Sequence, residues 1–324
     1  METVSGVSNW KLTVRRQGDG ITVVRAVTCD ASAVLPETLL GLPVTALDRH
    51  ALAPGDRDGE GETVLVTCGL TPETGWDNRG LRELSLPRTL RRVDDYAFLN
   101  CDALETLRLH DGITFWGGGV LMNCRSLHRF HITRVGERQG ESLAYFADEL
   151  SRELDVTIET PGKPTARLIF PEYLEVYEEN CPAHHFDYNI YGAGYPYHYC
   201  FRQKMLRLKD YDDLWGSYLA MEHETDTALQ LAWWRLRYPA ELETKARDAY
   251  TDYLRSHGTQ AAAWLLEQRD LDGLAFLLRT VELTADALAQ SCEAARQAGQ
   301  TEAVALLLEQ RRRRAPAAKK RFDL

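Results

Sequence analysis

Soft metal-binding side chains cluster once in the sequence. Cys181 and His184 are separated by two residues, and His185 follows directly. A second pair, His198 and Cys200, lies downstream with one residue between its members. Thiolate and imidazole groups in two such pairs can surround zinc, although the spacing of the second pair is shorter than usual. Simple packing explains the same residues, and we expect no bound metal and no other cofactor.

The stretch that contains this cluster is rich in tyrosine. Half of the protein's 14 tyrosines fall between residues 170 and 201. Tyrosine recognises ligands by stacking and hydroxyl hydrogen bonds, but aromatic area also seals joints between domains. We interpret the stretch as an interdomain joint. A ligand- or metal-binding protein or an enzyme with a site at residues 181–200, using His184, His185, Asp187 or His198, is the alternative hypothesis.

Other catalytic patterns are missing from the sequence. Gly192-Ala193-Gly194 lacks the third glycine of a dinucleotide fingerprint. The chain has no Gly-x-Ser-x-Gly elbow and no His-Glu-x-x-His helix motif. We therefore expect a protein that is not an enzyme.

The elements that must position any site are best seen in a repeat of 23 residues. Leu81-x-x-Leu84-x-Leu86 returns from Leu104 and again from Leu127, where it reads Leu-x-x-Phe-x-Ile, and Asn-Cys at 100–101 returns at 123–124. A fixed period of this length predicts a solenoid, in which each unit buries its apolar face against its neighbours.

One unit runs from Leu86 to Leu104 through Leu86-Pro87, Val93, Ala97-Phe98 and Asn100-Cys101, and residues 41–52 carry the same pattern. Both segments closely resemble the BspA-type leucine-rich repeat, and the resemblance covers about residues 10 to 135. It implies a curved scaffold for protein interactions, of the kind found in surface adhesins and in modules of unknown role.

Two features depart from the regular pattern. Leu47 lies two periods before Val93, which predicts a degenerate repeat unit between them. In the unit after Val93, residues 117–119 are all glycine and Val120-Leu121 replaces Ala97-Phe98. The glycines put the short convex turn of that unit in doubt, but not its strand.

Within Leu-x-x-Leu-x-Leu the last two apolar residues face the core, so the residues before and between them face outward. Stacked at the repeat period, these positions form two columns, which are Glu83, Thr106 and Arg129, and Ser85, Arg108 and His131. We predict that these side chains bind a protein or peptide partner. A face that is merely solvated is the equal alternative.

The remaining elements follow from local patterns. Strands are predicted at 10–14 and 21–26 as a hairpin cap, at 63–66 between loops 54–63 and 69–80, and at 156–158, with a helix at 142–154. From about residue 210 the pattern is helical, with helices at 241–256, 260–268, 271–278, 284–298 and 301–311 and a helix stop at His257-Gly258. Phe276-Leu-Leu278 and Leu306-Leu-Leu308 make this region resemble ankyrin repeats, without their Thr-Pro-Leu-His turn, and a generic bundle is equally favoured.

The predicted class is α+β, with a leucine-rich-repeat solenoid and hairpin cap followed by an all-helical domain. The expected domains are 1–160 for the repeats, 161–209 for the tyrosine-rich joint, 210–311 for the helices and 312–324 for a basic disordered tail. The breaker cluster at 161–164 sets the first of these boundaries.

Composition restricts the partners and the compartment. The net charge of −10 repels phosphate backbones, so we expect no nucleic-acid role. No run of 18 apolar residues exists, and residues 1–10 lack the basic and apolar regions of a secretory signal, so we expect a cytoplasmic protein that binds no membrane. The seven cysteines are scattered, which favours reduced thiols, with Cys101 and Cys124 in the core.

Overall fold

The computed structural model describes residues 2–55, 59–69, 75–135, 141–180 and 185–314. It divides into two compact units, Met1–His223 and Glu224–Leu324. The strands are β1 (Glu2–Ser5), β2 (Trp10–Gln17), β3 (Gly20–Val27), β4 (Ser32–Val34), β5 (Thr38–Leu39), β6 (Leu42–Leu47), β7 (Glu62–Thr67), β8 (Glu83–Ser85), β9 (Arg92–Val93), β10 (Thr106–His110), β11 (Phe115–Trp116), β12 (Arg129–Thr133), β13 (Leu154–Glu159), β14 (Ala166–Phe170), β15 (Leu174–Asn180), β16 (His185–Tyr191), β17 (Phe201–Arg202) and β18 (Met205–Leu206). The helices are α1 (Glu141–Glu149), α2 (Leu208–Asp213), α3 (Trp215–Ala220), α4 (Thr225–Arg237), α5 (Thr244–Ser256), α6 (Gly258–Glu267), α7 (Leu271–Thr280), α8 (Ala285–Gln297) and α9 (Thr301–Arg314).

The first sheet of unit 1 has the order β1-β7-β2-β3-β6-β9-β11, with β5 paired to β6. The predicted hairpin is confirmed as β2 and β3, which are antiparallel and join at Gly18, a residue with φ of 59°. Alternate residues such as Trp10 and Leu12 are fully buried, because one face of this sheet covers the core. The hairpin is not the edge of the sheet, because β7 pairs antiparallel with β2 on its outer side and β1 pairs with β7 beyond it.

The second sheet has the order β14-β13-β12-β10-β8-β4. From β4 to β13 the neighbours are parallel, and the repeat predicts the register of three strands directly: Leu84 pairs with Leu107, and Leu107 with Phe130. These three side chains are fully buried. Strand β14 pairs antiparallel with β13, so the sheet continues beyond the proline-rich cluster at 161–164.

The degenerate repeat unit expected between Leu47 and Val93 does not add strands between the neighbouring repeats. Leu47 pairs directly with Val93, because β6 and β9 are adjacent parallel strands, and β4 pairs directly with β8. Between β6 and β8 the chain forms β7, whose hydrogen-bond partners are β1 and β2. The chain between β6 and β8 is therefore an insertion whose strand returns to the hairpin.

The three glycines at 117–119 do not abolish the convex turn. Gly119 occupies the left-handed region with φ of 60°, as Tyr96 does one repeat earlier with φ of 58°. The Phe98 amide donates to the Val120 carbonyl at 3.0 Å, so the two turns stack. Glycine adopts this conformation without strain, and the turn therefore persists where the apolar pattern weakens.

Residues 171–223 of unit 1 hold a two-stranded sheet of β15 and β16, a 3₁₀ helix at Tyr195–Cys200, the short pair β17 and β18, and helices α2 and α3. An aromatic cluster joins them to β14. The ring of Phe170 lies 5.9 Å from Phe201 and 5.6 Å from Tyr211, measured between centroids. The Tyr211 hydroxyl also donates to the Ile169 carbonyl at 2.6 Å.

Unit 2 is helical as predicted, and each expected helix is present within a few residues of its predicted ends. Thr284 caps α8, because its hydroxyl accepts the amide of Ala287 at 3.1 Å. Helix α5 ends at Ser256, as the predicted stop at His257-Gly258 requires, but Gly258 itself begins α6 and is buried. A Cβ there would lie 2.6 Å from a methyl group of Leu283, so the glycine permits close packing rather than ending a helix.

No helix within the described ranges combines the length and apolar character that a membrane crossing needs. Of the basic tail, residues 312–314 end α9, and residues 315–324 lie outside the described residues.

Candidate functional site

The outward side of the second sheet carries the predicted partner-binding residues. Strands β8, β10 and β12 are adjacent and in register, which places Thr106 between Glu83 and Arg129 in one column. Arg108 lies between Ser85 and His131 in the other column. Both columns therefore form as the repeat predicts.

Thr106 differs from the other members of the columns. Its side chain is buried, with 1% of the residue exposed, whereas Arg108 is exposed and Glu83 and Arg129 are half-buried. A short side chain between two longer ones on neighbouring strands is covered by them. Thr106 is therefore unable to contact a partner directly in this conformation, and the usable surface is provided by its neighbours.

Strands β13 and β14 extend both columns beyond the repeat. Asp155 on β13 is in register with Arg129, and Thr157 is in register with His131 on one side and Arg167 of β14 on the other. The sequence analysis did not identify Asp155 or Arg167. The step from β12 to β13 is 26 residues rather than 23, and β14 runs antiparallel, so neither residue lies at the repeat period.

Arg167 and Asp155 form a two-point ion pair. The Nε and Nη2 groups of Arg167 donate to the two carboxylate oxygens of Asp155 at 2.8 and 2.6 Å. Bidentate pairs of this kind are stronger and more directional than single ion pairs. Asp155 therefore pairs with Arg167, although its register partner on β12 is Arg129.

His131 lies among positive charges from three strands, β10, β12 and β14. We call Arg108, Arg129 and Arg167 the arginine cluster; Arg108 makes no hydrogen bond or ion pair with any residue that the structure describes. Arg129 contacts the Nε2 atom of His128 at 3.5 Å. The cluster thus holds three guanidinium groups around one imidazole, with the carboxylate of Asp155 beside them.

The environment of His131 disfavours its charged form. Partial burial of the imidazole lowers the pKa of His131, and the charge of Arg108 lowers it further. Asp155 acts in the opposite direction, and Arg167 and Arg129 add to the lowering. A site that resists a further proton in this way is complementary to an anion, because a carboxylate brought here relieves the repulsion.

The side chains of this surface supply hydrogen-bond donors and acceptors. Guanidinium groups bind carboxylates with directional hydrogen bonds, and the serine and threonine hydroxyls of the columns add neutral donors and acceptors. The sheet strands hold these side chains at fixed spacing, so a bound chain meets a regular array of donors.

The metal-ligating residues of the tyrosine-rich stretch are only partly described. Cys181 and His184 lie outside the described residues. Cys200 is fully buried, which raises the pKa of its thiol well above the usual range, and His198 Nδ1 lies 3.4 Å from a carboxylate oxygen of Asp148. Among the residues that the structure describes, no group of three or more potential metal ligands is found.

Comparison with known proteins gives little further information. No family model matches the chain, and no curated protein matches it. Among solved structures it is similar to a leucine-rich repeat protein of T. pallidum, with 17% sequence identity and a TM-score of 0.22, over 37% of this chain and 68% of that chain.

Proposed function

We propose that the protein is a non-catalytic binding module whose second sheet holds an extended, acidic segment of a partner protein. The observation that carries the proposal is the arginine cluster around His131. Among the residues that the structure describes, only Arg167 of this cluster has a carboxylate partner within hydrogen-bonding distance. We further propose that the parallel strands from β4 to β13 belong to a short leucine-rich-repeat solenoid of the BspA type. We also propose that the protein is cytoplasmic.

Electrostatics favour an acidic partner at this face over a basic one. The whole chain has a net charge of −10, but the arginine cluster gives this face a local excess of positive charge. Arg108 and Arg129 lie on adjacent strands, and Arg167 lies two strands further across the sheet. Complementary charge of this kind increases association rate and selects partners.

The pattern of exposure also supports a docking surface. Arg108 is exposed, and Arg129, His131 and Arg167 are half-buried, so the guanidinium groups are accessible while their aliphatic stems are supported by neighbours. Pre-positioned side chains lose less conformational entropy on binding than free ones do. The sheet therefore offers a surface that needs little rearrangement to bind a carboxylate-bearing chain.

The experiment is a titration of the full-length protein with a fluorescein-labelled peptide of alternating glutamate and threonine, followed by fluorescence anisotropy. The double variant Arg108→Glu/Arg129→Glu should weaken binding by about tenfold or more, because two attractive contacts become repulsive. The same peptide with glutamine in place of glutamate should bind weakly to the unaltered protein.

Arg125→Glu is the matched control. Arg125 is exposed and lies on the turn before β12, where its Nε atom is 3.9 Å from a carboxylate oxygen of Asp102. This variant makes a charge change of the same kind away from the cluster, so its affinity should stay within about twofold of the unaltered protein. Equal losses in the control and in the cluster variant, or no loss in either, would refute the proposed surface.

A further inference from the structure

The antiparallel ribbon of β15 and β16 exposes three aromatic side chains on one face, and Tyr191 is exposed on the opposite face. Tyr177 and Tyr188 are paired in register, with ring centroids 4.7 Å apart, and Phe186 is paired with Glu179 on the same face. The exposed fractions are 70% for Tyr177, 71% for Phe186 and 45% for Tyr188. Large exposed aromatic groups gathered on one face mark interaction surfaces.

The ribbon has no other strand beside it within the described part of the chain. Strands β15 and β16 pair only with each other, which leaves the outer edge of β15 open. A two-stranded ribbon is marginally stable alone, and an open edge invites a further strand. The ribbon is therefore suited to accept an extended segment.

The base of the ribbon is held firmly by the rest of unit 1. The Tyr173 amide donates to the Ser151 carbonyl at 2.8 Å, and the Tyr173 ring packs edge-on against His198. A Cβ on Gly194 would lie 1.9 Å from the Pro171 carbonyl oxygen, so only glycine allows this close approach of the two chain segments. These contacts anchor the base of the ribbon to the rest of unit 1.

The charge of the ribbon indicates the chemistry of its occupant. Residues 174–191 contain four carboxylates, Glu175, Glu178, Glu179 and Asp187, and no lysine or arginine. The Tyr188 hydroxyl donates to Glu175 at 2.7 Å, which keeps that carboxylate beside the aromatic rings and raises the pKa of the tyrosine.

Carboxylates alternate with tyrosine along the same face of β15. Successive residues of a strand point to opposite faces, so Glu175, Tyr177 and Glu179 point to one side. Glu178 and Asp187 are paired in register on the other side. The aromatic face therefore offers two carboxylates in line, with a tyrosine between them.

We propose that the aromatic face of the ribbon, made of Glu175, Tyr177, Glu179, Phe186 and Tyr188, docks an extended polypeptide segment carrying arginine or lysine. The segment adds to the open edge of β15, its cationic groups pair with the carboxylates, and their stems and charges lie over the rings. This surface is distinct from the arginine cluster and takes a partner of opposite charge.

The test is anisotropy titration of the full-length protein with a fluorescein-labelled peptide of alternating arginine and threonine, with a glutamine-for-arginine peptide for comparison. The variant Glu175→Gln/Glu179→Gln should lose about tenfold in affinity, because both ion pairs are removed. The matched control Glu178→Gln/Asp187→Asn removes the same charge from the opposite face and should lose less than about twofold.

Tyr177→Ser separates the aromatic contribution from the charge. It should weaken binding by about threefold or more through loss of the cation–π contact, while the far-ultraviolet circular dichroism stays unchanged. Equal losses in the two charge variants would overturn the proposal, because they would show only diffuse attraction. Light scattering that shows a dimer dissociated by Glu175→Gln/Glu179→Gln would also overturn it, since the occupant would then be a second copy of the chain.

Discussion

Arg167 binds Asp155 through two hydrogen bonds of 2.8 and 2.6 Å, across the antiparallel pair of β13 and β14. The two residues are offset on neighbouring strands, since Asp155 is in register with Ile169. This diagonal contact withdraws Asp155 from Arg129, its register partner on β12. One carboxylate is thereby neutralised within the face that we propose for acidic partners.

The pair leads to a prediction about affinity. Asp155→Asn should strengthen binding of the glutamate–threonine peptide by about threefold, because it removes the negative charge that pairs with Arg167 in the cluster. Asp102→Asn is the control, since Asp102 is exposed and pairs with Arg125 on the opposite side of the repeat. The anisotropy titration checks both variants, and weaker binding by Asp155→Asn would contradict the proposed polarity of the face.

His131 should make the same binding depend on pH. Its folded-state pKa is lowered from 6.5 by burial and then by Arg108, so the imidazole is neutral at pH 7 and gains a proton only in more acidic solution. Protonation adds a fourth positive charge to the face. We therefore expect the glutamate–threonine peptide to bind more tightly as the pH falls through and below 6.5, as long as the peptide remains ionised.

The sign of the stability effect is opposite. A histidine with a lowered folded-state pKa binds protons more readily when unfolded, so it destabilises the protein as the pH falls through and below the unfolded value. His131→Gln should reduce both the gain in peptide affinity and this part of the acid destabilisation. His110→Gln is the control, because the pKa of His110 is also lowered, by burial and Arg88, away from the cluster. Equal effects of both substitutions on the peptide titration would contradict the role of His131.

The glycines of the repeat turn should differ sharply in their tolerance of alanine. A Cβ on Gly117 would lie 2.4 Å from the backbone nitrogen of Asp95, whereas a Cβ on Gly118 would meet nothing within 4 Å. Gly117→Ala should lower the free energy of unfolding by about 2 kcal/mol or more, since backbone must move. Gly118→Ala should be neutral or stabilise by about 0.5 kcal/mol. Urea unfolding of the two variants checks the contrast, which similar midpoints would contradict.

Asn78 should be the most sensitive residue of the insertion that ends at β8. Its buried side chain accepts the Thr28 amide and donates to the carbonyls of Ala26 and Leu52, each at 2.8 Å. Asn78→Gly should lower the free energy of unfolding by about 3 kcal/mol, because three buried backbone groups lose a partner.

Asn78→Ala should lower the free energy of unfolding by about 1 kcal/mol more than Asn78→Gly does, because the residue has φ of 60°, which glycine adopts without strain. Asn123→Gly is the control in urea unfolding. Asn123 has φ of 61°, and its exposed side chain donates a hydrogen bond to the side chain of Asn100 at 2.8 Å. Asn123→Gly should therefore lower the free energy of unfolding by less than about 1 kcal/mol. A comparable loss at both positions would show that the buried hydrogen bonds of Asn78 contribute little.

The sequence by itself determined the elements whose signal is local or periodic. Leu84, Leu107 and Phe130 recur at one spacing because each must fill the same position of a stacked layer, and this spacing predicts their register. The hairpin turn at Gly18 and the cap of α8 at Thr284 depend on a few neighbouring residues, so they are also visible in the chain.

Only the tertiary structure decided which distant segments meet. Strand β7, in the insertion between β6 and β8, pairs with β1 and β2, and the 23-residue period does not predict this pairing. Asp155 lies 26 rather than 23 residues after its register partner Arg129, and Arg167 lies on an antiparallel strand, so the repeat predicts neither. Thr106 is buried although the repeat places it on the outward side. Burial and ion pairing depend on these long-range neighbours, so the repeat could place the columns but could not show which of their members reach solvent.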